Sequence, residues 1–362
     1  MVKRVLLGAL GLALLVTGLA FAFQAQLARA LYERRVERQM SLDRLAELPD
    51  GLHLAFCGTG SPLPDPSRAP SCAVVIAGDR LFVVDSGAGS VSNLLLMGIP
   101  AGEIEAVLLT HFHSDHIGGL GDLALQRWIG EGHNEPLPVH GAAGVETIVA
   151  GFNQAYAIDA TYRTGHHGET IAPPAGFGME ARPFAIAGFD QTAPVKLLEN
   201  GGLTIWAVAV DHAPASPAVA YRFDYQGRSL VMSGDLVADA SPGFQALAAG
   251  TDLLVVEALQ PDLLDIINEG ARARGNDRLD TIMIDIRDYH TTPEQAASAA
   301  RAARARALVL NHIVPALPSR SLNAAFLGDA AAAYSGPIRI AEDGLVVSLP
   351  AGDDGVSFQS WR

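Results

Sequence analysis

Short apolar runs bounded by Gly, Pro and Asp clusters alternate along this chain with longer segments whose apolar positions recur every three or four residues. After the turn residues Pro49-Asp-Gly51, the run Leu52 to Cys57 reads as a first strand, followed by a loop through Gly58-Thr-Gly60 and the prolines at 62, 64 and 66. Ala73 to Ile76 and Leu81 to Val84 predict a hairpin turned at Gly78-Asp79. Asn93 to Met97 reads as a short helix, Ala106 to Leu109 as a buried strand, and Leu120 to Trp128 as a longer helix. The second half repeats the scheme. Strands are expected at Leu203 to Val208, Ala218 to Phe223, Ser229 to Met232, Leu253 to Val256, Thr281 to Ile286 and Ala307 to Leu310. Helices are expected near Asp262 to Arg274 and from Pro293 to Arg306, where Pro293 suits a first helical turn. Such a succession belongs to the α/β class, with two sheets packed face to face and helices outside.

The first residues follow a different rule. Val5 to Phe23 are nineteen consecutive uncharged, mostly apolar positions behind Lys3 and Arg4, enough to span a hydrocarbon core. Residues 1–23 therefore read as a membrane anchor or, given the small residues Ala20 and Ala22, a cleavable signal peptide. Residues 24–50 form an arginine-rich helical neck, 51–350 the main domain and 351–362 a tail. The expected placement is outside the cytoplasm, exported or membrane-anchored. Cys57 and Cys72 close the first strand and open the second; a disulfide and a pair of buried free thiols are both open readings.

The net charge is −14, and Lys3 and Lys196 are the only lysines. An acidic surface repels a polyphosphate backbone, so no nucleic-acid partner is expected from composition.

Candidate chemistry concentrates after the strand ending at Leu109. His111, His113, Asp115 and His116 place three imidazoles and one carboxylate within six positions, just before Gly118-Gly119. His111 and His113, two apart in extended backbone, face one way, and the turn brings Asp115 and His116 around. Imidazole nitrogen and carboxylate oxygen are the donors of open, catalytic zinc-type sites. His212, Asp235 and His312 each stand at the end of an expected strand, which puts them on the same rim.

The segment His111 to His116 matches the H-x-H-x-D-H pattern and resembles the metallo-β-lactamase superfamily. Further signposts stand in order at Gly58-Thr-Gly-Ser-Pro62, Phe82-Val-Val-Asp-Ser-Gly87, Val210-Asp-His212, Val231-Met-Ser-Gly-Asp235, Tyr289-His-Thr-Thr-Pro293 and Leu308-Val-Leu-Asn-His312. The resemblance covers roughly residues 51 to 350 and is closest to the ribonuclease Z and arylsulfatase-like branch. It implies an αββα sandwich, here preceded by an N-terminal hydrophobic helix. It also implies two divalent metal ions, zinc in preference to manganese or iron, with His111, His113 and His212 on one metal and Asp115, His116 and His312 on the other. Asp235 would bridge them. Asp85 would orient a ligand histidine, the alternative being a plain turn carboxylate. His290 would stabilise or protonate the leaving group, the alternative being a helix cap, and Asp115 would serve catalysis as well as metal binding. A metal-bridging hydroxide would be the nucleophile, since metal binding pulls the pKa of water from about 15.7 toward roughly 7. Homodimers are common in this branch.

Spacing chooses among hydrolases. Ribonuclease Z enzymes carry a long basic arm between the residues matching His212 and Asp235, which here lie only 23 positions apart. The expected substrate is therefore a small ester of the aryl sulfate or phosphodiester type. The alternatives are a ribonuclease Z-like endonuclease acting on tRNA and, from another class, a non-catalytic binding module. The stretch between residues 151 and 202, with His166-His167-Gly168, reads as a loop over the site mouth, and His53, His133 and His140 read as structural.

Overall fold

The computed structural model describes residues 2–362. The chain divides into two compact units, residues 1–47 and Leu48–Arg362. In the first, Val2–Ala22 and Gln24–Met40 are helical. The segment Arg4–Ala22 is long and apolar enough to cross a membrane by length and composition.

The second unit holds fifteen strands. In chain order they are β1 Gly51–Gly58, β2 Cys72–Ala77, β3 Arg80–Val84, β4 Ile104–Leu108, β5 Leu137–Gly141, β6 Met179–Pro183, β7 Val195–Asn200, β8 Leu203–Val210, β9 Ala218–Tyr225, β10 Arg228–Met232, β11 Leu253–Leu259, β12 Ala307–Val314, β13 Ile338–Ile340, β14 Leu345–Pro350 and β15 Ser357–Ser360. The first sheet runs β15-β14-β1-β2-β3-β4-β5-β6 and the second β13-β12-β11-β10-β9-β8-β7. Alternate residues of each face their partner sheet. Leu52, Leu54 and Phe56 of β1 meet Val219, Tyr221 and Phe223 of β9 in one shared core. The other face of the second sheet, with Leu254, Val256, Leu308 and Leu310, is covered by Ala296, Ala297 and Ala300 of the helix Pro293–Ala303. Burial on both faces explains why these strands read as continuous apolar runs. The layers make an αββα sandwich.

Strand direction builds one rim. β8 is antiparallel to β9 and β9 to β10, while β10, β11 and β12 are parallel. The C-terminal ends of β8, β10, β11 and β12 therefore point the same way. In the first sheet β3 and β4 are parallel, so Asp85 and His111 also leave their strands together. The Val219 N–H donates to Thr110 O at 2.9 Å and the Tyr221 hydroxyl to Leu109 O at 2.6 Å, joining the two sheets at that rim.

Three expectations are corrected. Thr281 to Ile286 is not a strand; the helix Asp277–Asp285 runs through it, begun by Asn276, whose side chain accepts from Leu279 N. Leu279, Met283 and Ile286 recur at helical spacing and pack together against Leu264, so tertiary contact selects the helix over the β-branched composition. Within 151–202, the 23-residue helix Val145–His167 and strands β6 and β7 replace the expected loop. Trp128, Ala160 and Phe177 pin that helix. The expected tail carries β15, paired to β14.

Cys57 and Cys72 form a disulfide across a sequence separation of 15. It closes the base of the loop 59–71. Reducing it should lower the unfolding free energy by about 3 kcal/mol in the chain-entropy account of a loop this long; denaturant melts with and without a phosphine reductant measure the loss.

Candidate metal centre

β4 ends, Leu109 hydrogen-bonds through its N–H to His140 O, and the chain turns with His113 extended at the start of the short helix Ser114–Ile117. This turn is packed without slack. A Cβ on Gly119 would stand 2.5 Å from Gly87 O, so only glycine lets the two loops pass. Gly234 adopts φ +62° just before Asp235, and a Cβ there would sit 2.8 Å from Thr110 Cβ.

Among the described residues three groups of donors could hold a metal ion: His111, His113, His212 and Asp235; Asp115, His116 and His312; and Asp235, His290 and His312. In the first, His111 Nε2 lies 2.9 Å from His113 Nδ1, and His212 Nε2 lies 3.4 Å from the same atom. In the second, Asp115 Oδ2 is 3.4 Å from His116 Nε2 and 3.0 Å from His312 Nε2. Asp235 Oδ2 stands between the groups, 3.3 Å from His116 Nε2 and His312 Nε2 and 3.9 Å from His111 Nε2 and His212 Nε2. Tetrahedral ligands at about 2.1 Å from a metal lie roughly 3.4 Å from each other, and these separations straddle that value. His116 Nε2 and Asp235 Oδ1 are buried without a hydrogen-bond partner. Buried polar atoms left so are costly, and a metal accounts for the orphaned imidazole nitrogen. The donor set fits two divalent cations.

Supporting contacts fix the rings. His116 Nδ1 donates to Asp85 Oδ2 at 2.8 Å, and Asp85 also accepts from Thr110 N and Oγ1, both at 2.8 Å. Asp85 holds φ 58° and His312 φ 47°, left-handed values for non-glycine residues that place both side chains on the rim. His212 Nδ1 donates to Tyr289 O at 2.9 Å, leaving Nε2 for a metal. Asp85→Asn should weaken metal affinity by about 10- to 100-fold while the protein stays folded, read by competition with a chelating dye.

Burial lowers the pKa of His111, His113 and His290, and takes His212 to about 4, so these rings are neutral ligands or acceptors at neutral pH. Burial opposes charge on His116 too, but Asp235 and Asp85 outweigh it and raise its pKa well above the usual range. For Asp115 and Asp235 the histidines around them outweigh burial and depress both carboxyls.

Sequence reasoning missed Glu257. It lies fully buried in β11, accepts from His290 Nδ1 at 2.8 Å and from Leu236 N and Thr291 N at 3.2 Å, and burial followed by the charge of Asp235 raises its pKa. The one acid in the apolar run Leu253-Leu-Val-Val-Glu257 was the available signal. His290 stacks on His312 at 5.6 Å between ring centroids and lines a cleft of about 300 Å³ with His113, Asp115, Asp235 and His312. His166 and His167 are exposed at the end of their helix and do not line it. His53 Nε2 pairs with Pro49 O at 2.9 Å, and His133 Nε2 with Gly102 O at 2.6 Å.

The family model of the metallo-β-lactamase superfamily matches residues 66–298. The chain belongs to the metallo-β-lactamase superfamily. Within this superfamily, a ribonuclease Z of Mycobacterium avium is 37% identical over 268 residues, covering 74% of this chain and 87% of that protein. A ribonuclease Z of Mycobacterium bovis is 34% identical over 295 residues, covering 81% and 96%. Among solved structures, a metallo-β-lactamase fold protein of Bacillus subtilis superposes with TM-score 0.56 at 22% identity, covering 82% of this chain and 99% of that one. The short form of human tRNase Z gives 0.55 at 22%, with 82% and 99% covered. These two show the shared fold. With this superfamily fold and donor set, the protein is a metal-dependent hydrolase.

The named relatives correct the expected partners. They are ribonucleases, so a small-molecule ester with no nucleic acid is the wrong expectation for this sequence. The physical reason is that net charge averages over the surface, whereas two dications would reverse the local field at the site.

Proposed function

We propose that this chain is a phosphodiesterase that cleaves RNA, in the manner its ribonuclease Z relatives are named for. The supporting observation is that one carboxylate oxygen, Asp235 Oδ2, touches donors of both metal groups in a chain 37% identical to such an enzyme. His111, His113 and His212 would hold one cation, Asp115, His116 and His312 the other, and Asp235 both. When bound, the cations supply a nucleophile from water at neutral pH and neutralise charge at the phosphoryl oxygens, with zinc the preferred ion. Asp85 and Tyr289 O aim the ligand rings. His290, neutral and anchored at Nδ1 by Glu257, presents a bare Nε2 that would take up the proton given off by the attacking water and hand it to the departing oxygen. The short β9–β10 hairpin, turned at Gln226-Gly227, means that RNA is gripped without a long arm between His212 and Asp235.

Placement is a separate part of the proposal. The apolar helix and the disulfide support a catalytic unit on the oxidising side of a membrane. Such a site would be separated from nascent tRNA, so RNA with an unpaired 3′ extension is the test substrate. The detergent-solubilised full chain, loaded with zinc, should trim it with a rate that falls steeply with salt. Intact RNA beside rapid hydrolysis of 4-nitrophenyl sulfate would sink the reading. Alkylation of Cys57 and Cys72 in cells lysed into a thiol blocker tests placement, labelling before reduction counting against it.

A further inference from the structure

The cleft has two unlike walls. One carries the metal-site donors and His290. The other is made of Pro62, Leu63, Ile282, Met283, Ile286 and Val314. Leu63, Met283, Ile286 and Val314 belong to one packed cluster with Leu259 and Leu264, so this wall is preformed. A phosphate or a ribose seated there would lose its hydrogen bonds to water and find no partner on these side chains. Ile282 stands at the lip, 50% exposed, an apolar residue with surface left to cover. Tyr289 also lines the cleft, its ring 4.8 Å from that of His290.

We propose that this wall seats the base of a nucleotide flanking the scissile phosphate, with Ile282 setting the preference for a flat ring over a small or flexible group. The proposal rests on the phosphodiesterase reading and adds what the site selects. Every base presents an apolar face, so a wall that is apolar apart from the Ser61 hydroxyl beside Pro62 recognises bases in general, and Tyr289 offers an aromatic surface that a ring matches better than an alkyl chain does. About 300 Å³ accommodates a phosphodiester with a single ring, at the small end of ligand sites. Specificity here is for an unstacked base, whatever its identity.

The experiment uses the full-length zinc-loaded protein and four diesters of 4-nitrophenyl phosphate. The second ester group is methyl, phenyl, octyl or 5′-uridyl. Water attacks phosphorus and 4-nitrophenolate leaves in every case, so leaving-group chemistry is constant. The expected kcat/KM for the phenyl and uridyl esters exceeds that of the methyl ester by about tenfold or more, the scale of a filled apolar pocket. Ile282→Ser should cut the phenyl-to-methyl ratio by about threefold or more, since part of the buried contact remains. Ile266→Ser, at an exposed position outside the cleft, should leave the ratio intact. Equal kcat/KM for methyl and phenyl, or an octyl ester faster than phenyl, overturns the base seat while leaving the phosphodiesterase reading standing. No turnover of any of the four by protein carrying two metals overturns the phosphodiesterase reading, and the base seat with it.

Discussion

Asp235→Ala should abolish hydrolysis and leave the purified protein with at most one metal per chain. Asp235 Oδ2 lies within 3.9 Å of the donor nitrogens of His111, His116, His212 and His312, so this one oxygen reaches donors of both groups. Without it, five imidazoles and the Asp115 carboxylate would face two dications, and the anion between the two groups that screens their repulsion is lost. Losing a Lewis acid worth several kcal/mol corresponds to a fall in kcat of about 10³-fold or more. Elemental analysis and rate measurements on the same preparation decide it. Two metals retained with activity within tenfold of the parent would remove Asp235 from the centre.

His290→Ala should behave differently: both metals kept, kcat down by about 10²- to 10⁴-fold, the usual worth of a positioned acid–base group. The distinction matters because His290 belongs by distance to a third donor group with Asp235 and His312. Its Nδ1 is committed to Glu257 and it stacks on His312, which favours a proton carrier over a ligand. Glu257→Gln should reproduce part of the loss, about 10-fold or more, because the ring loses the partner that orients it. A metal content falling to one in His290→Ala would reassign it as a ligand.

The apolar runs predicted the sandwich because a strand buried on both faces has one reading when Gly and Pro bound it. The donors were legible for a related reason, since His212, Asp235 and His312 sit in or directly beyond such strands. Glu257 was overlooked because it sits inside a strand run rather than beyond it, and only the fold shows that β11 carries it to His290. Residues 281–286 misled because isoleucine and threonine favour strands locally, while the contacts that make them helical lie at Leu63, Leu264 and Val314. The substrate misled most. Surface charge is a sum, whereas the cleft is lined by a few side chains whose donor groups fit two cations, and the sequence's net charge counts neither their placement nor those cations.

The two sheets contribute donors that are far apart along the chain: Asp115 and His312, 3.0 Å from each other, are 197 positions apart. Contacts of such separation form late, after both sheets have closed on each other. A ribosome-bound or truncated chain lacking β12 therefore has no His312 to close the donor group of Asp115 and His116, and the centre stays incomplete. The cell is spared a hydrolase that works before it is finished, and uptake of the second cation becomes a certificate that the last strand of the site is in place.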